Sequence, residues 1–285
     1  MTDFSLIVAT IGRAAEIGRL VESLIALTDK SFELIVVDQN ADQRLEPYLE
    51  QARAGGLHVV HERQATPGLA LARNRGIALA TSPWIGFPDD DCWYEPDAVQ
   101  HLRSATKSVP APLGLVADWV EQSAHRGVLP DGPLSLHRWR RFRDGDASSI
   151  SLFFRRDLLV ELGGFDVRFG VGQWFGAAEE TDLLLRALAT GAMIKRCPFA
   201  QVHHHYSTES RSTLMVAAKH ARNRARGTGA IYAKHRLAQW VVVRGVVAPI
   251  LVPVAKLQFR KAFIGWFMAL GRIEGSRAWK QVQKP

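Results

Sequence analysis

The sequence predicts an α/β fold, a mostly parallel sheet flanked by helices, followed by a basic, apolar helical tail. Three observations predict it. Apolar runs of strand length alternate with segments of helical spacing along residues 5–87, polar or acidic residues stand directly after three of those runs, and charge is divided unevenly between body and tail.

Residues 5–9 form the first apolar run, and residues 15–27 place Ile17, Leu20, Val21, Leu24 and Leu27 at helical spacing. A second run at 32–37 ends at Asp38 and completes a strand–helix–strand unit. A helix over 45–54, a strand over 57–61, a polar loop over 64–68, a helix over 69–80 and a strand over 84–87 repeat the pattern. Such alternation gives a parallel sheet, whose ligands gather beyond the carboxyl ends of the strands. Thr10, Asp38 and Asp89-Asp90-Asp91 all fall there, so separate polar signals converge on one edge.

With 285 residues, 47% of them hydrophobic and 22% charged, the chain buries one large core or two small ones, and disorder is excluded. The first strand begins at the N-terminus with no secretory leader ahead of it, and the two cysteines, Cys92 and Cys197, are far apart, which points to a reducing cytoplasm. Cys92 reads as a small buried hydrophobe, because a thiolate suits a hard ion poorly.

The acidic run is the most informative single feature. Three consecutive carboxylates repel one another unless cations stand beside them. An all-oxygen set suits a hard ion such as Mg²⁺ or Mn²⁺, which commonly shares its shell with substrate phosphates. The alternative is a turn or N-cap cluster ahead of the helix that starts near Pro96. Residues 9–13, Ala-Thr-Ile-Gly-Arg, match neither a GxGxxG nor a Walker A pattern, and Gly227-Thr228-Gly229 has no strand before it. Dinucleotide redox chemistry and P-loop hydrolysis lose their support. A diphosphate here needs a cation and basic side chains, Arg73 among them.

From residue 211 onward, 15 Lys and Arg face one acid, Glu274, a net charge of +14; the preceding residues carry 21 basic and 27 acidic groups, a net −6. An acidic body with a basic tail points to a polyanion or an anionic membrane surface. Between 237 and 267 apolar runs interleave with Arg244, Lys256, Arg260 and Lys261, and Trp240, Trp266 and Trp279 add aromatic bulk, more apolar surface than a nucleic-acid arm carries. The longest uncharged stretch of this part, residues 245–255, is 11 residues long with two prolines, short of the ~20 that span a bilayer. An interfacial location follows, with a helical subdomain packed on the body as the alternative.

These residues together resemble a family 2 glycosyltransferase of the GT-A, Rossmann-like fold. Ser5-Leu6-Ile7-Val8-Ala9-Thr10 with Arg13 resembles the family's opening strand, and Leu34-Ile35-Val36-Val37-Asp38 its second. Residues 68–77, containing Ala72-Arg73-Asn74, followed by Phe87-Pro88-Asp89-Asp90-Asp91, are similar to its Ala-Arg-Asn helix and DxD motif. Gly163-Gly164-Phe165-Asp166 and Glu179-Glu180-Thr181-Asp182-Leu183 resemble its acceptor-side signature. The matches run in family order over about 205 residues and leave the tail out, so a catalytic domain over 1–215 and a tail over 216–285 are expected.

The resemblance implies a metal-dependent, inverting transfer from a nucleotide diphosphate sugar, UDP before other nucleotides, to a saccharide or polyprenyl-diphosphate-linked acceptor in bacterial polysaccharide assembly; the tail and the cysteines place it at the inner face of the plasma membrane. It implies Thr10, Arg13 and Asp38 on the nucleoside side, Arg73 at the diphosphate, Asp89 near the ribose, Asp91 on Mn²⁺ or Mg²⁺, and Asp90 in the same site but turned away. It implies Glu180 as the base that deprotonates the acceptor hydroxyl. The family pattern here is Glu-Asp, so Glu179 stays open as the alternative, as does a mere acidic first turn of helix 181–189. Asp182 and Arg186 read as an i,i+4 pair. Adjacent residues of a strand face opposite ways, so His203-His204-His205 cannot all serve one site; His204 is the residue the resemblance aligns with a metal ligand.

Residues 109–151, broken by prolines and rich in Trp and Arg, and the loop with Trp174 read as the acceptor side. Two rivals remain. A nucleotidyltransferase lacks its early basic, glycine-rich loop here, and a non-catalytic nucleotide or polyanion-binding module leaves the ordered acidic motifs unexplained.

Overall fold

The computed structural model describes residues 2–122, 132–143, 147–204 and 213–282. Its strands are β1 (Phe4–Thr10), β2 (Phe32–Asp38), β3 (His58–Arg63), β4 (Trp84–Gly86), β5 (Cys92–Tyr94), β6 (Gly114–Trp119), β7 (Leu152–Arg155) and β8 (Ile194–His204). The helices are α1 (Ala15–Ile25), α2 (Glu46–Ala54), α3 (Leu69–Leu79), α4 (Ala98–Thr106), α5 (Leu136–Trp139), α6 (Arg156–Glu161), α7 (Glu179–Ala189), α8 (Leu214–Lys234), α9 (Gln239–Ala255) and α10 (Phe259–Val282). They fall into two compact units: Met1–Leu136, Asp144–Phe165 and Arg186–Tyr206; and His137–Arg143, Asp166–Leu185 and Ser207–Pro285.

The first unit holds one sheet in the order β3-β2-β1-β4-β7-β6-β8-β5. The four strands from β3 to β4 are parallel, as the strand–helix alternation predicts. Beyond them β7 runs antiparallel to β4 and β6, β8 parallel to β6, and β5 antiparallel to β8, so the sheet as a whole is mixed. Every residue of β2 is buried, because helices cover both faces of the parallel half. Leu6, Val8, Leu34 and Val36 pack with Ile17, Leu20, Val21 and Leu24 of α1. On the opposite face α3 lies so close to β1 that a Cβ at Gly76 would collide with Ile7. Glu33 is a buried acid on β2 whose Oε1 accepts from Ser5 Oγ (2.5 Å) and from Thr81 N and Oγ1 (both 2.8 Å). These bonds replace the water it gives up.

In the second unit α8 and α9 both pack on α10. Gly227-Thr228-Gly229 belongs to α8, where the glycines make room for neighbours: a Cβ at Gly227 would strike the Ala177 carbonyl and one at Gly229 the Arg272 carbonyl. Trp279 is fully buried, 5.1 Å from the ring of Phe169 and 5.4 Å from that of Phe175, with the Arg168 guanidinium 4.2 Å above it. Glu274, the one acid of the tail, is held by Arg222 and, at 3.0 Å, by Arg226. The tail is therefore helical, as its composition suggests, and part of it is core. No described helix is long and apolar enough to cross a membrane.

Candidate active site

The site forms where β1, β2 and β4 end. Thr10 and Asp38 are the register-paired last residues of β1 and β2, and the acidic run follows β4, all within the first unit. The sequence places repelling carboxylates here, and the fold surrounds them with cations. Arg73 of α3, 2% exposed, donates through Nη2 to Asp89 Oδ1 at 2.9 Å, and its guanidinium lies 5.4 Å from the Phe165 ring. Arg13 donates to Asp90 at 2.7 Å and to Asp91 at 2.5 Å. His204 Nε2 stands 3.1 Å from Asp91 Oδ1.

The three acids have separate surroundings. Asp90 is buried and accepts from Thr10 Oγ1 at 2.6 Å, so it ties the acidic loop to the end of β1. Burial pushes its carboxyl above the ordinary range despite Thr10 and Arg13. Asp89 is likewise pushed up: the protein crowding around it outweighs Arg73, and nearby Asp91 adds to the effect, although 35% of the side chain stays accessible. Asp91 goes the other way. Burial opposes ionisation there, but His204 and Arg13 hold it down at about 2. It is ionised at neutral pH.

Asp89, Asp91 and His204 each offer a ligand atom within 4.8 Å of the others. Two carboxylate oxygens and an imidazole nitrogen match the donor preferences of Mn²⁺ and, less fully, Mg²⁺. Asp89 therefore stands with Asp91 as a possible ligand, closer to the metal set than the ribose role gives it. The alternation read from the histidine run holds for its described part: His203 turns to Glu95 (2.8 Å) and Glu121 (2.9 Å) and stacks on Trp93, while His204 faces Asp91. His205 lies outside the described residues. Cys92 is fully buried in β5, and burial drives its thiol well up, as expected of a small hydrophobe.

Asp38 is buried and accepts from Asn40 N (2.9 Å) and Nδ2 (2.8 Å) and pairs with His61 Nε2 at 3.0 Å. Asn74 shows why the Ala-Arg-Asn helix and the Gly-Gly-Phe segment travel together. Its Oδ1 accepts from Phe165 N at 2.7 Å, and its Nδ2 donates to Phe165 O at 2.8 Å. Gly164, at φ 68°, passes so close that a Cβ would meet that Oδ1. Phe165 thus held packs edge-on to Phe87 at 4.9 Å and supports Arg73.

Glu179, Glu180 and Trp174 belong to the second unit. Both acids open α7, Glu179 buried and Glu180 half-buried. Ala178 before them has φ 77°, a left-handed conformation costing a non-glycine residue about 1–2 kcal/mol. Trp174 is 47% exposed and packs edge-on to Phe175, with the Arg226 guanidinium 4.7 Å from its ring. Asp182, read from spacing as a partner of Arg186, is fully buried and holds two tail residues: Lys234 Nζ and His235 Nε2, each 2.8 Å from Oδ1. Lys234 also reaches Asp166 at 2.7 Å, which Arg168 grips in turn. Arg186 donates to the carbonyls of Leu162 and Gly164, both at 2.7 Å.

A mixed sheet of this topology, with a DxD-type run, a histidine from the last strand and flanking arginines at one edge, has the fold of the GT-A glycosyltransferases. Residues 5–111 match the model of glycosyl transferase family 2, and curated relatives over a longer stretch are glycosyltransferases. A PGL/p-HBAD biosynthesis glycosyltransferase of Mycobacterium bovis BCG is 28% identical over 197 residues, 68% of this chain and 72% of that protein. The pre-mycofactocin glycosyltransferase of Mycobacterium tuberculosis is 24% identical over 225 residues, 73% of this chain and 44% of that one. Among solved structures, the mannosyltransferase PcManGT of Pyrobaculum calidifontis, in complex with GDP-Man and Mn²⁺, superposes with a TM-score of 0.66 at 14% identity, over 99% of this chain and 88% of that one. S. aureus TarS 1-349 with UDP-GlcNAc superposes at 0.57 with 16% identity, covering 99% and 93%.

Proposed function

We propose that the protein is an inverting, divalent-metal-dependent glycosyltransferase that moves one sugar from a nucleotide diphosphate sugar, UDP before GDP or dTDP, to a saccharide or polyprenyl-diphosphate-linked hydroxyl in bacterial polysaccharide assembly. The observation that carries this reading is the Asp89, Asp91 and His204 set at the strand ends, with Thr10, Asp38, Arg13 and Arg73 around it. PcManGT with GDP-Man and Mn²⁺ and TarS with UDP-GlcNAc support a nucleotide-sugar donor and a divalent metal.

Asp91, with Asp89 and His204, would hold the Mn²⁺ or Mg²⁺. When bound, the ion supplies positive charge that stabilises a leaving diphosphate. Thr10 and Asp38 fix the nucleoside end, and Arg13 and Arg73 turn guanidinium groups to phosphate oxygens as those approach their carboxylates. Glu180 takes the proton of the acceptor hydroxyl as its oxygen attacks the anomeric carbon from the face opposite the leaving group, which inverts the centre. Glu180 is preferred over Glu179 because it keeps more of its surface open. Trp174 offers an exposed face to an acceptor sugar. The net charge of +14 from residue 211 onward supports work at the inner face of the plasma membrane, against anionic lipid.

The test is nucleotide release and sugar transfer measured across UDP, GDP and dTDP sugars, with and without Mn²⁺ or Mg²⁺. Activity should need the ion, and Asp91→Ala should abolish it while the melting profile is kept. Full turnover in excess EDTA would refute the metal role.

A further inference from the structure

We propose that α9, the turn after it and the first half of α10 form a docking face that inserts among the lipids of an anionic bilayer. This deepens the membrane-surface reading and uses none of the residues assigned to chemistry.

The face is apolar where a water-facing helix should be polar. On α9 the exposed large hydrophobics are Trp240, Val243, Val247, Leu251, Val252 and Val254, and all but Val252 are spaced by three or four residues and so lie on one side of the helix. The turn adds Leu257, 76% exposed, and α10 continues with Phe259, 68% exposed, Phe263 and Trp266 at the same spacing. The two stripes lie on helices that pack together. An exposed apolar surface of this extent marks a binding face.

The charge selects the occupant. Lys256, Arg260 and Lys261 are exposed around the turn, and residues 211–273 contain no acid at all. A second copy docked on this face would bring two such basic clusters together with no nearby carboxylate to offset them. An anionic lipid surface offers a hydrocarbon layer for the stripe and phosphates for the rim. Phe259, Arg260 and Phe263 also line, with Thr213 and Leu214, an open cavity of about 560 Å³, which sets aromatic and aliphatic walls beside a guanidinium.

Truncation is a poor test, because Trp279 and the α8–α10 contact are core. Exposed positions are changed instead, in the full chain. Flotation is measured with phosphatidylcholine vesicles and with vesicles in which a third of the lipid is phosphatidylglycerol. The wild type should bind the anionic vesicles and be only partly released by salt. Leu251→Ser/Leu257→Ser/Phe259→Ser should weaken binding at least about 30-fold, and Lys256→Gln/Arg260→Gln/Lys261→Gln at least about tenfold with loss of the preference for phosphatidylglycerol.

Thermal melting and donor turnover should be unchanged in both, so a failure of the glycosyltransferase reading, with no turnover in any protein, is seen apart from a failure here. No binding to either vesicle, equal binding to both, or sedimentation as a dimer that the serine variant dissolves would overturn the proposal. Should the serine variant misfold, the glutamine variant alone decides it.

Discussion

Lys234→Met isolates what the tail contributes to the segment carrying the two glutamates. Lys234 Nζ bridges two carboxylates, Asp166 at 2.7 Å and the fully buried Asp182 at 2.8 Å, and is 5.2 Å from the rings of Phe169 and Trp279. Methionine keeps most of the length and the contact with those rings while deleting the charge. Removing one partner of a buried ion pair costs about 3–5 kcal/mol. Arg168 still holds Asp166 and His235 still reaches Asp182, so the lower end, about 3 kcal/mol, is expected. For a chain of this size that is roughly a 5 °C fall in melting temperature. Asp182 is two residues beyond Glu180 on α7, so turnover at a temperature well below melting should fall too, with the KM for donor nearly constant. Replacing both partners, Asp182→Leu with Lys234→Met, should cost less than the two single changes together. A Lys234→Met protein within 1 kcal/mol of wild type in urea unfolding, with unchanged turnover, would refute the reasoning.

Glu180→Gln should leave nucleotide binding intact, read by calorimetry, and lower turnover at least ~100-fold; the same phenotype in Glu179→Gln instead would move the base by one residue. Asn74→Ala strips both backbone groups of Phe165 of their partner and should destabilise by about 2–3 kcal/mol, measured by urea midpoint, with weaker donor binding as Arg73 loses its support. For pH, burial opposes ionisation of Glu33 and Asp166, yet Ser5 and Thr81 hold the first below its ordinary value and Arg168 and Lys234 the second. Folded values below unfolded ones mean stabilisation that is complete above the unfolded range, about 4, and lost as pH falls through the folded values. Asp89 and Asp90, both raised, act in the opposite sense and soften the loss. Metal-free protein should therefore be less stable at about pH 3 than at about pH 6, and an unchanged urea midpoint would contradict this.

The parallel half of the sheet was legible because β1 and β2 are seven-residue apolar strands and helices of clear spacing separate its strands, and the polar strand ends were legible with it. The antiparallel half was not. β5 has three residues and β7 four, too short to show a period, while β6 lies inside the proline-broken stretch 109–151 and β7 directly follows it. At the site, the acids could be found from local pattern, since the run Asp89-Asp90-Asp91 is a local fact, whereas strand alternation only limited the histidine run and the family resemblance pointed to His204. The ion pairs could not: Arg13, expected at the nucleotide, meets Asp91 across 78 positions, and away from the strand ends Lys234 meets Asp182 and Asp166 from a helix that composition alone assigns to the tail. Long-range pairing of opposite charges leaves no periodic trace. The glycines of α8 were equally silent, because a phosphate loop and a close helix contact use the same residue.

Arg13 has a thermodynamic consequence. Its guanidinium already neutralises Asp91, so an incoming divalent ion competes with a cation the chain carries for itself, and the ion alone should bind weakly. A diphosphate that draws Arg13 toward its own oxygens lifts that competition, and the ion in turn strengthens the hold on the diphosphate. By linkage each ligand tightens the other by one and the same factor. On the proposed reading the site would work as a logical conjunction, fully assembled only when metal and nucleotide are both present, and titrating either ligand at saturating levels of the other would measure the strength of that coupling.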